Sequence, residues 1–285
     1  MTPDRTKAAR ELLTFYLEAG VDALVGETPV DHLAAETQPT PGPATTTLAS
    51  TPISPAPPRV PSSRPPLTRV APPPAAPTTA PLAPDTAVMA ARDAARSSAS
   101  LEDLRAIMQG FTGCALRVTA TQLVFADGNP QARVMFVGEA PGRDEDIAGL
   151  PFVGRSGKLL DRMLAAIGLD RTSAYIANII PWRPPGNRTP TPQESQICLP
   201  FIRRQIELAN PDVLVCMGGP SSQALLGFTD GIRRTRGRWM AFNTGTREIR
   251  AIATFHPAYL LRSPLEKRHA WRDFLAIKQA LARNA

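Results

Sequence analysis

The sequence predicts an α/β fold in which a mainly parallel sheet is covered by helices on both faces. From about residue 86 onward, short apolar runs alternate with segments whose apolar residues recur at helical spacing. Several of the apolar runs end directly at glycine, proline or histidine. Strands that alternate with helices in this way favour a parallel sheet in a three-layer α/β/α sandwich.

Composition excludes several classes of protein. The chain has 285 residues, a net charge of +7, 31 prolines and three cysteines. An odd, small number of cysteines does not make a disulfide scaffold. The sequence shows neither a secretory signal nor an apolar run near the ~20 residues of a membrane span. We therefore expect a cytoplasmic protein without a membrane partner, whose basic charge favours a polyanionic one.

The chain divides into three predicted segments. Residues 1–36 contain a helical pattern, residues 37–85 form a linker, and residues 86–285 form a globular domain. Sixteen prolines lie between Pro39 and Pro84, and a segment of that composition is expected to act as an extended tether. A proline-docking ligand for a protein partner is the alternative. The N-terminal helix could bind a partner or fold back onto the domain.

Each element of the globular region has a local signal. A helix is predicted over 86–109, with Ser100 as a cap, and Thr191, Pro192 and Glu194 form a capping box for a later helix. The apolar runs and helical patterns predict the following order: strand 134–137, helix from Ser156, strand 174–180, helix 191–210, strand 212–217, a short helix, strands 239–242 and 249–255, and helix 265–283.

Polar groups follow three of these strands immediately. Glu139, Asn178 and His256 each come at a strand end, and Phe152 lies in the loop after the first strand. The carboxyl ends of parallel strands converge on one crevice, so these groups are expected to lie together. Three of these residues also have a purely structural interpretation. His256 could be a histidine whose hydrogen bonds are satisfied within the fold, Asn178 could cap its strand, and Phe152 could pack in the core. Position at a strand end favours the functional interpretation.

A basic segment precedes the last two strands. Its four arginines, and the cations near the last helix, either form a solvated surface or a rim that contacts phosphates. They are Arg233, Arg234, Arg236, Arg238, Arg262, Lys267 and Arg268.

Three linked motifs resemble a known family. The segments GEAPGRDEDIAGLPFVG, ANIIPWRPPGNRTPTP and FHPAYLLRSP, in this order, are similar to the family 4 uracil-DNA glycosylases. The resemblance covers roughly residues 101 to 283. It implies a four-stranded, mainly parallel central sheet and a monofunctional hydrolase that flips uracil out of DNA, breaks its N-glycosidic bond and leaves an abasic site for repair. A monomer acting on uracil-containing DNA is expected.

The resemblance also implies roles for individual residues. Phe152 would stack on uracil, Asn178 would bind its Watson–Crick edge, and His256 would donate to the base oxygen that gains charge. Glu145 is the carboxylate predicted to position or activate water, ahead of Glu139 and Asp146. The remaining assignments are substrate contacts by Glu139, Ala140 and Asn187, and DNA contacts by Leu260, Leu261, Arg262, Arg236 and Arg238, with Leu260-Leu261-Arg262 as the wedge.

The chain departs from the family at its iron–sulfur site. Members of the family usually hold a [4Fe–4S] cluster with four cysteines, and the matching positions here are Phe111, Cys114, Trp182 and Cys198. Because aromatic side chains do not ligate iron, we expect the cluster to be lost and no metal or other cofactor to be bound. The hypothesis is that the two rings fill the space, while Cys114 and Cys198 remain as small buried residues.

Three other functions remain open at this point. The chain could be a DNA- or uracil-binding module without excision activity, or a glycosylase for another deaminated base. It could also be a tethered interaction protein whose N-terminus brings the domain to a repair partner. Base release measured on oligonucleotides distinguishes the first two from uracil excision.

Overall fold

A computed structural model describes residues 84–283. The predicted N-terminal helix, and the tether up to residue 83, lie outside the described residues. No helix within 84–283 is long and apolar enough to cross a membrane.

The centre of the fold is one six-stranded sheet. Its order is β1-β3-β2-β4-β6-β5. The four central strands are parallel to one another, and the short edge strands β1 and β5 pair antiparallel with β3 and β6. The strands are β1 (Asp127–Gly128), β2 (Val134–Gly138), β3 (Tyr175–Asn178), β4 (Val213–Met217), β5 (Trp239–Asn243) and β6 (Glu248–Thr254). The α/β class and the parallel centre are confirmed, whereas the predicted number of four strands omits the two antiparallel edges.

Helices cover both faces of the sheet. They are α1 (Pro84–Ser97), α2 (Leu101–Gly110), α3 (Leu116–Thr119), α4 (Arg143–Ala148), α5 (Arg155–Ala166), α6 (Pro192–Ala209), α7 (Gly219–Leu226), α8 (Ile232–Thr235), α9 (Pro257–Arg262) and α10 (Lys267–Arg283), with 3₁₀ turns at Pro185–Asn187 and Pro264–Glu266. The buried residues of β2 alternate between the two faces. Met135 and Val137 join a core with α1, α2 and α6, and Val134 and Phe136 join one with α5 and α10. These two cores make the three layers.

The predicted helix over 86–109 is wrong in one respect, because it is two helices. The chain breaks between α1 and α2, where the side chain of Ser100 accepts a hydrogen bond from the Asp103 amide. The guanidinium of Arg204, on α6, donates to the carbonyl of Ser98 at the break. A long-range contact therefore stabilises the interruption, and Ser100 caps α2 as predicted.

The capping box of α6 is confirmed. Thr191 accepts from the Glu194 amide, and the Glu194 carboxylate accepts from the Thr191 amide. Pro192 occupies the first helical position, where no amide donor is required. This start marks the point where the loop that follows β3 ends and α6 begins.

Candidate active site

A cleft of about 640 Å³ opens at the carboxyl ends of the parallel strands. It is built from the segments that follow β2, β3, β4 and β6, as the strand-end pattern predicts. Its lining includes Glu139, Ala140, Gly142, Glu145, Phe152, Asn178, Asn187, Gly218, His256, Tyr259 and Arg262. The structure thus brings together the base-pocket residues that were predicted from three separate motifs.

Phe152 forms one wall of the cleft in a constrained conformation. Its φ is 56°, in the left-handed region that residues with a side chain rarely adopt. Two contacts hold it there: Arg171 donates to the Phe152 carbonyl, and Gly157 leaves room for that carbonyl because any Cβ at Gly157 would collide with it. Arg171 also donates to Pro151, and it pairs with two carboxylates, those of Asp127 and Asp161. Strain of this kind, held by surrounding contacts, is typical of functional sites.

Asn178 ends β3 and faces the same cleft. Its side chain is 4% exposed, and its Oδ1 atom has no hydrogen-bond partner in the described part of the chain. A Cβ on Gly138 would lie 2.6 Å from the Phe152 ring and would also meet Asn178 Oδ1, so only glycine permits this close packing. A buried acceptor without a partner carries a free-energy cost that a donor on a bound ligand would remove.

His256 follows β6 and its imidazole lies beside the Phe152 ring, with 5.3 Å between the ring centroids. The Ala258 amide donates to Nδ1 at 3.1 Å, which leaves the proton of the neutral ring on Nε2. Burial, together with the charge of Arg262, lowers the pKa of His256 to about 4. The side chain is therefore a neutral hydrogen-bond donor at physiological pH.

Glu145 joins the two halves of the loop that lines the cleft. One carboxylate oxygen accepts from the Gly142 amide at 3.0 Å, and the other accepts from Val153 and Gly154 at 3.1 and 3.0 Å. This carboxylate positions the backbone on both sides of α4. Its assignment as the water-activating group stays a prediction, and three amide donors already occupy most of its acceptor capacity.

Glu139 is the other carboxylate that lines the cleft. Its side chain makes no hydrogen bond within residues 84–283, and burial raises its pKa above the usual value. Its backbone carbonyl accepts from the Ile180 amide, which fixes the turn after β2 beside the end of β3. Ala140 lies next to it, partly buried, and presents no polar side chain to the cleft.

Asn187 and Arg262 lie at the rim. Asn187 also has a positive φ of 56°, and its Oδ1 accepts from Arg183 at 2.7 Å. This contact leaves the amide nitrogen of Asn187 as its remaining donor. Arg262 ends α9 and is exposed, which suits a phosphate contact.

Several predicted assignments need correction. Leu260 is 1% exposed and packs with Phe255 and Ala270, so its side chain cannot enter DNA in this conformation. Arg236 pairs with the buried carboxylate of Asp273, at 2.8 Å from Nε to Oδ2, and is a structural residue.

The predicted roles of Arg238 and Asp146 are also corrected in part. The guanidinium of Arg238 lies 5.8 Å from the centre of the Phe228 ring, which occupies one of its faces. Asp146 accepts from the amide and hydroxyl of Thr121, so it anchors α4 rather than serving the cleft. Of the predicted DNA contacts, Leu261, Arg262 and Arg238 are exposed.

Comparison with known proteins identifies the family. Residues 125–275 match the model of the uracil DNA glycosylase superfamily. The chain is 41% identical over 182 residues to the type-4 uracil-DNA glycosylase of Archaeoglobus fulgidus, covering 62% of this chain and 92% of that protein. The chain belongs to the type-4 uracil-DNA glycosylases. The type-4 enzymes of Thermotoga maritima and Saccharolobus solfataricus are 45% and 37% identical, over 53% and 59% of this chain and 78% and 81% of their own lengths.

A further site lies at the positions where the family resemblance implies a cluster. We call Phe111, Cys114, Trp182 and Cys198 the aromatic–thiol site. The Cys198 thiol donates to Cys114 Sγ at 4.0 Å, a contact that lowers the pKa of Cys114 and raises that of Cys198. Trp182 and both thiols are buried, and Phe111 packs edge-on against Phe201 with ring centroids 5.0 Å apart.

This donor set does not fit a four-thiolate cluster. Two thiols supply half of the required ligands, and indole and phenyl rings supply none. Within residues 84–283, no group of three or more cysteine, histidine or carboxylate side chains is arranged to hold a metal ion.

Some residues that shape the cleft were not predicted. Arg171 and Gly157 hold Phe152, and the Ala258 amide selects the tautomer of His256. Gly157 lies in the stretch after Phe152, where a glycine at a helix start is a usable signal for close backbone approach. Arg171 has no such signal, because its partners are far away in sequence.

Proposed function

We propose that the protein is a uracil-DNA glycosylase, which hydrolyses the N-glycosidic bond of a flipped-out deoxyuridine and leaves an abasic site. Membership of the type-4 family supports this function. The cleft adds a physical reason, because it combines a flat ring, a buried amide, a neutral imidazole and a carboxylate in a volume suited to one nucleotide.

The observation that carries the proposal is the unpartnered Oδ1 of Asn178 beside the Phe152 ring. Uracil presents an N3–H donor next to the O4 acceptor, and a primary amide can satisfy both. Cytosine presents an acceptor at N3 and a donor at N4. With the amide in the orientation that pairs with uracil, Oδ1 would face the N3 acceptor and the amide nitrogen would face the N4 donor, so neither hydrogen bond would form. A base stacked on Phe152 would therefore be selected by its donor pattern.

His256 is proposed to stabilise the departing base. When the bond between C1′ and N1 breaks, the electron pair goes to the base and negative charge develops on its O2 atom. The Nε2–H of the neutral imidazole can donate to that oxygen. A neutral donor of lowered pKa, held in place before the reaction, requires no reorganisation as the charge appears.

Glu139 is proposed as the carboxylate that acts on water, in place of the earlier assignment to Glu145. The sugar becomes cation-like as the base leaves, a water oxygen then bonds to C1′, and the water proton goes to the carboxylate. Glu139 lines the cleft without a hydrogen-bond partner in the described residues, while Glu145 is committed to three backbone amides. Glu145 is a positioning residue in this scheme.

We further propose that the protein works without an iron–sulfur cluster. Support comes from the aromatic–thiol site, where Trp182 is buried and the two thiols contact each other. Iron and sulfide assays, with visible absorbance on anaerobically purified protein, test this directly. Stoichiometric iron with sulfide would contradict it.

One experiment tests the main proposal. Oligonucleotides that carry uracil, thymine, hypoxanthine or xanthine are incubated with the full chain and assayed for abasic sites. Release of uracil by the unmutated chain is expected, with strongly reduced rates in His256→Ala and Asn178→Ala. Binding of uracil-containing DNA without base release would instead identify a binding module, and release of only another base would change the substrate.

A truncation tests the proposed role of the N-terminus. Deleting residues 1–83 should leave uracil release on oligonucleotides intact if this segment recruits a protein partner. Loss of release would show that the segment contributes to the reaction itself.

A further inference from the structure

A second concave surface lies at the end of the sheet opposite the cleft. It is a groove of about 610 Å³ between α1, the last turns of α6 and the turn that joins β5 to β6. That turn precedes β6, whereas His256 follows β6 and lines the cleft. Along α6, roughly 18 Å separates Thr191, next to the cleft residue Pro190, from Arg203 in the groove. The two surfaces are therefore distinct sites.

Arginines dominate the lining of the groove. Arg92 and Arg96 reach it from α1, and Arg203 and Arg204 reach it from α6. Glu207 is the one acidic residue among the described residues that line it. Arg204 pairs with the Glu207 carboxylate at 2.7 Å and also donates to the Ser98 carbonyl. The acid is thus neutralised within the fold, and the charges of the other three arginines are not compensated in the groove.

Those three arginines converge with free donors. Arg92, Arg96 and Arg203 are exposed, and within residues 84–283 their side chains have no salt bridge. Arg92 and Arg96 are four residues apart on one helix face, where like charges repel. The C-terminal end of α1 explains a cation at Arg96 but not at Arg92. The Arg203 guanidinium lies 5.6 Å from the centre of the Phe242 ring, which holds one of its faces.

The lining favours a phosphate backbone over a docked peptide. Its apolar residues are Ala95, Pro200 and Phe242, and of these Ala95 and Phe242 are buried. The groove therefore offers little apolar surface for the anchor side chains on which peptide recognition depends. Arginine forks, in contrast, match the paired oxygens of a phosphate and need no further anchor.

We propose that this arginine groove is a second DNA-binding site. It holds the sugar–phosphate backbone of one DNA segment, without regard to sequence, while the cleft acts on another. The choice of DNA as the polyanion rests on the proposed function, which brings the protein to DNA. Because duplex DNA is stiff over about 150 base pairs, one short duplex cannot bend from the cleft to the groove. On long DNA, a segment held in the groove raises the effective concentration of other segments at the cleft.

The test measures whether one protein molecule bridges two duplexes. The full chain is mixed with two undamaged duplexes of about 20 base pairs, one biotinylated and one fluorescent, and the fluorescence retained on streptavidin is recorded. The unmutated chain should retain the fluorescent duplex, and its affinity for this second duplex should fall with log salt with a slope of about −3. Combined Arg92→Gln, Arg96→Gln and Arg203→Gln should lower retention about tenfold or more.

A matched variant controls for net charge. Combined Arg105→Gln, Lys278→Gln and Arg283→Gln removes the same charge at exposed positions that line neither the groove nor the cleft. It should keep retention within about twofold of the unmutated chain. The groove variant should release uracil from a short single-stranded oligonucleotide at an unchanged rate and keep its melting temperature, which shows that the fold and the cleft are intact.

The outcomes separate this inference from the proposed function. Equal retention by the groove variant and the unmutated chain, or an equal loss in both triple variants, would overturn the second DNA site. Binding of only one duplex, together with binding of polyglutamate that the groove variant loses, would also overturn it and identify an acidic protein partner. Bridging by a chain that releases no uracil would overturn the proposed function and leave the groove assigned to DNA.

Discussion

The cleft and the aromatic–thiol site differ in how far their side chains are satisfied by the protein itself. In the cleft, Asn178 has a buried acceptor without a partner, Glu139 has no side-chain hydrogen bond in residues 84–283, and Phe152 is held at a positive φ. In the aromatic–thiol site, Trp182 is packed in the core and each thiol has the other as its neighbour. The side chains of the cleft thus keep hydrogen-bonding groups available for a ligand. Those of the aromatic–thiol site contact one another or the core.

This difference predicts which property a substitution in each site affects. Unpartnered or strained groups contribute to binding and chemistry and lower the stability of the fold. Packed groups contribute to stability through the area they bury. Substitutions in the two sites should therefore separate activity from stability, and four variants, from the largest effect to the smallest, test that separation.

Asn178→Ala should reduce uracil release by about 10³-fold, because the base loses the hydrogen bonds that distinguish it and stabilise its departure. Its thermal stability should be unchanged or higher, since the variant removes a buried acceptor that has no partner. Single-turnover rates and thermal melts measure both. A large drop in melting temperature would place Asn178 among the packed groups.

Trp182→Ala should lower the free energy of unfolding by about 3–5 kcal/mol, because it leaves a large cavity in the core. The fraction that stays folded should release uracil at a near-normal rate. Urea titration, with activity measured well below the transition, gives the two numbers. Full stability in this variant would show that the ring does not fill the site.

His256→Ala should slow base release by about 10²-fold through loss of one preorganised donor. In the unmutated chain, burial lowers the pKa of His256 to about 4, so the rate should show no histidine titration between pH 5 and 8. Because the neutral ring is favoured in the folded state, its contribution to stability is present above pH 6.5 and is lost as the pH falls towards 4. A rate inflection near pH 6.5 would contradict this environment.

Glu139→Gln should reduce activity by about 10²-fold and raise the melting temperature slightly at pH 7. Burial raises the pKa of Glu139, so the folded state disfavours its charged form. The stabilisation by glutamine should therefore be present above the folded pKa and vanish below about pH 4, where the acid is protonated in both states. Glu145→Gln is the matched comparison, and a larger kinetic defect there, without a loss of stability, would return the water-activating role to Glu145.

Sequence reasoning succeeded where signals are local. Strand ends, the capping box of Thr191 and Glu194 and the cap at Ser100 depend on residues a few positions apart. Convergence of the motifs on one cleft followed from the topology of parallel strands.

Long-range partners were not legible from the sequence. From the sequence, Arg236 has the pattern of a surface cation. Only the structure shows that it pairs with Asp273, 37 residues away. Leu260 and Leu261 are adjacent and chemically identical, and only the packing of α9 shows that the first is core. The edge strand β1 has two residues, which is too short for any alternation to appear.

Arg171 connects the cleft to positions that never meet the base. It ties the Phe152 carbonyl to the carboxylates of Asp127 and Asp161, on a sheet edge and on α5. The orientation of the Phe152 ring therefore depends on these three side chains. With the proposed stacking role of Phe152, we expect related sequences to change positions 127, 161 and 171 together rather than one at a time.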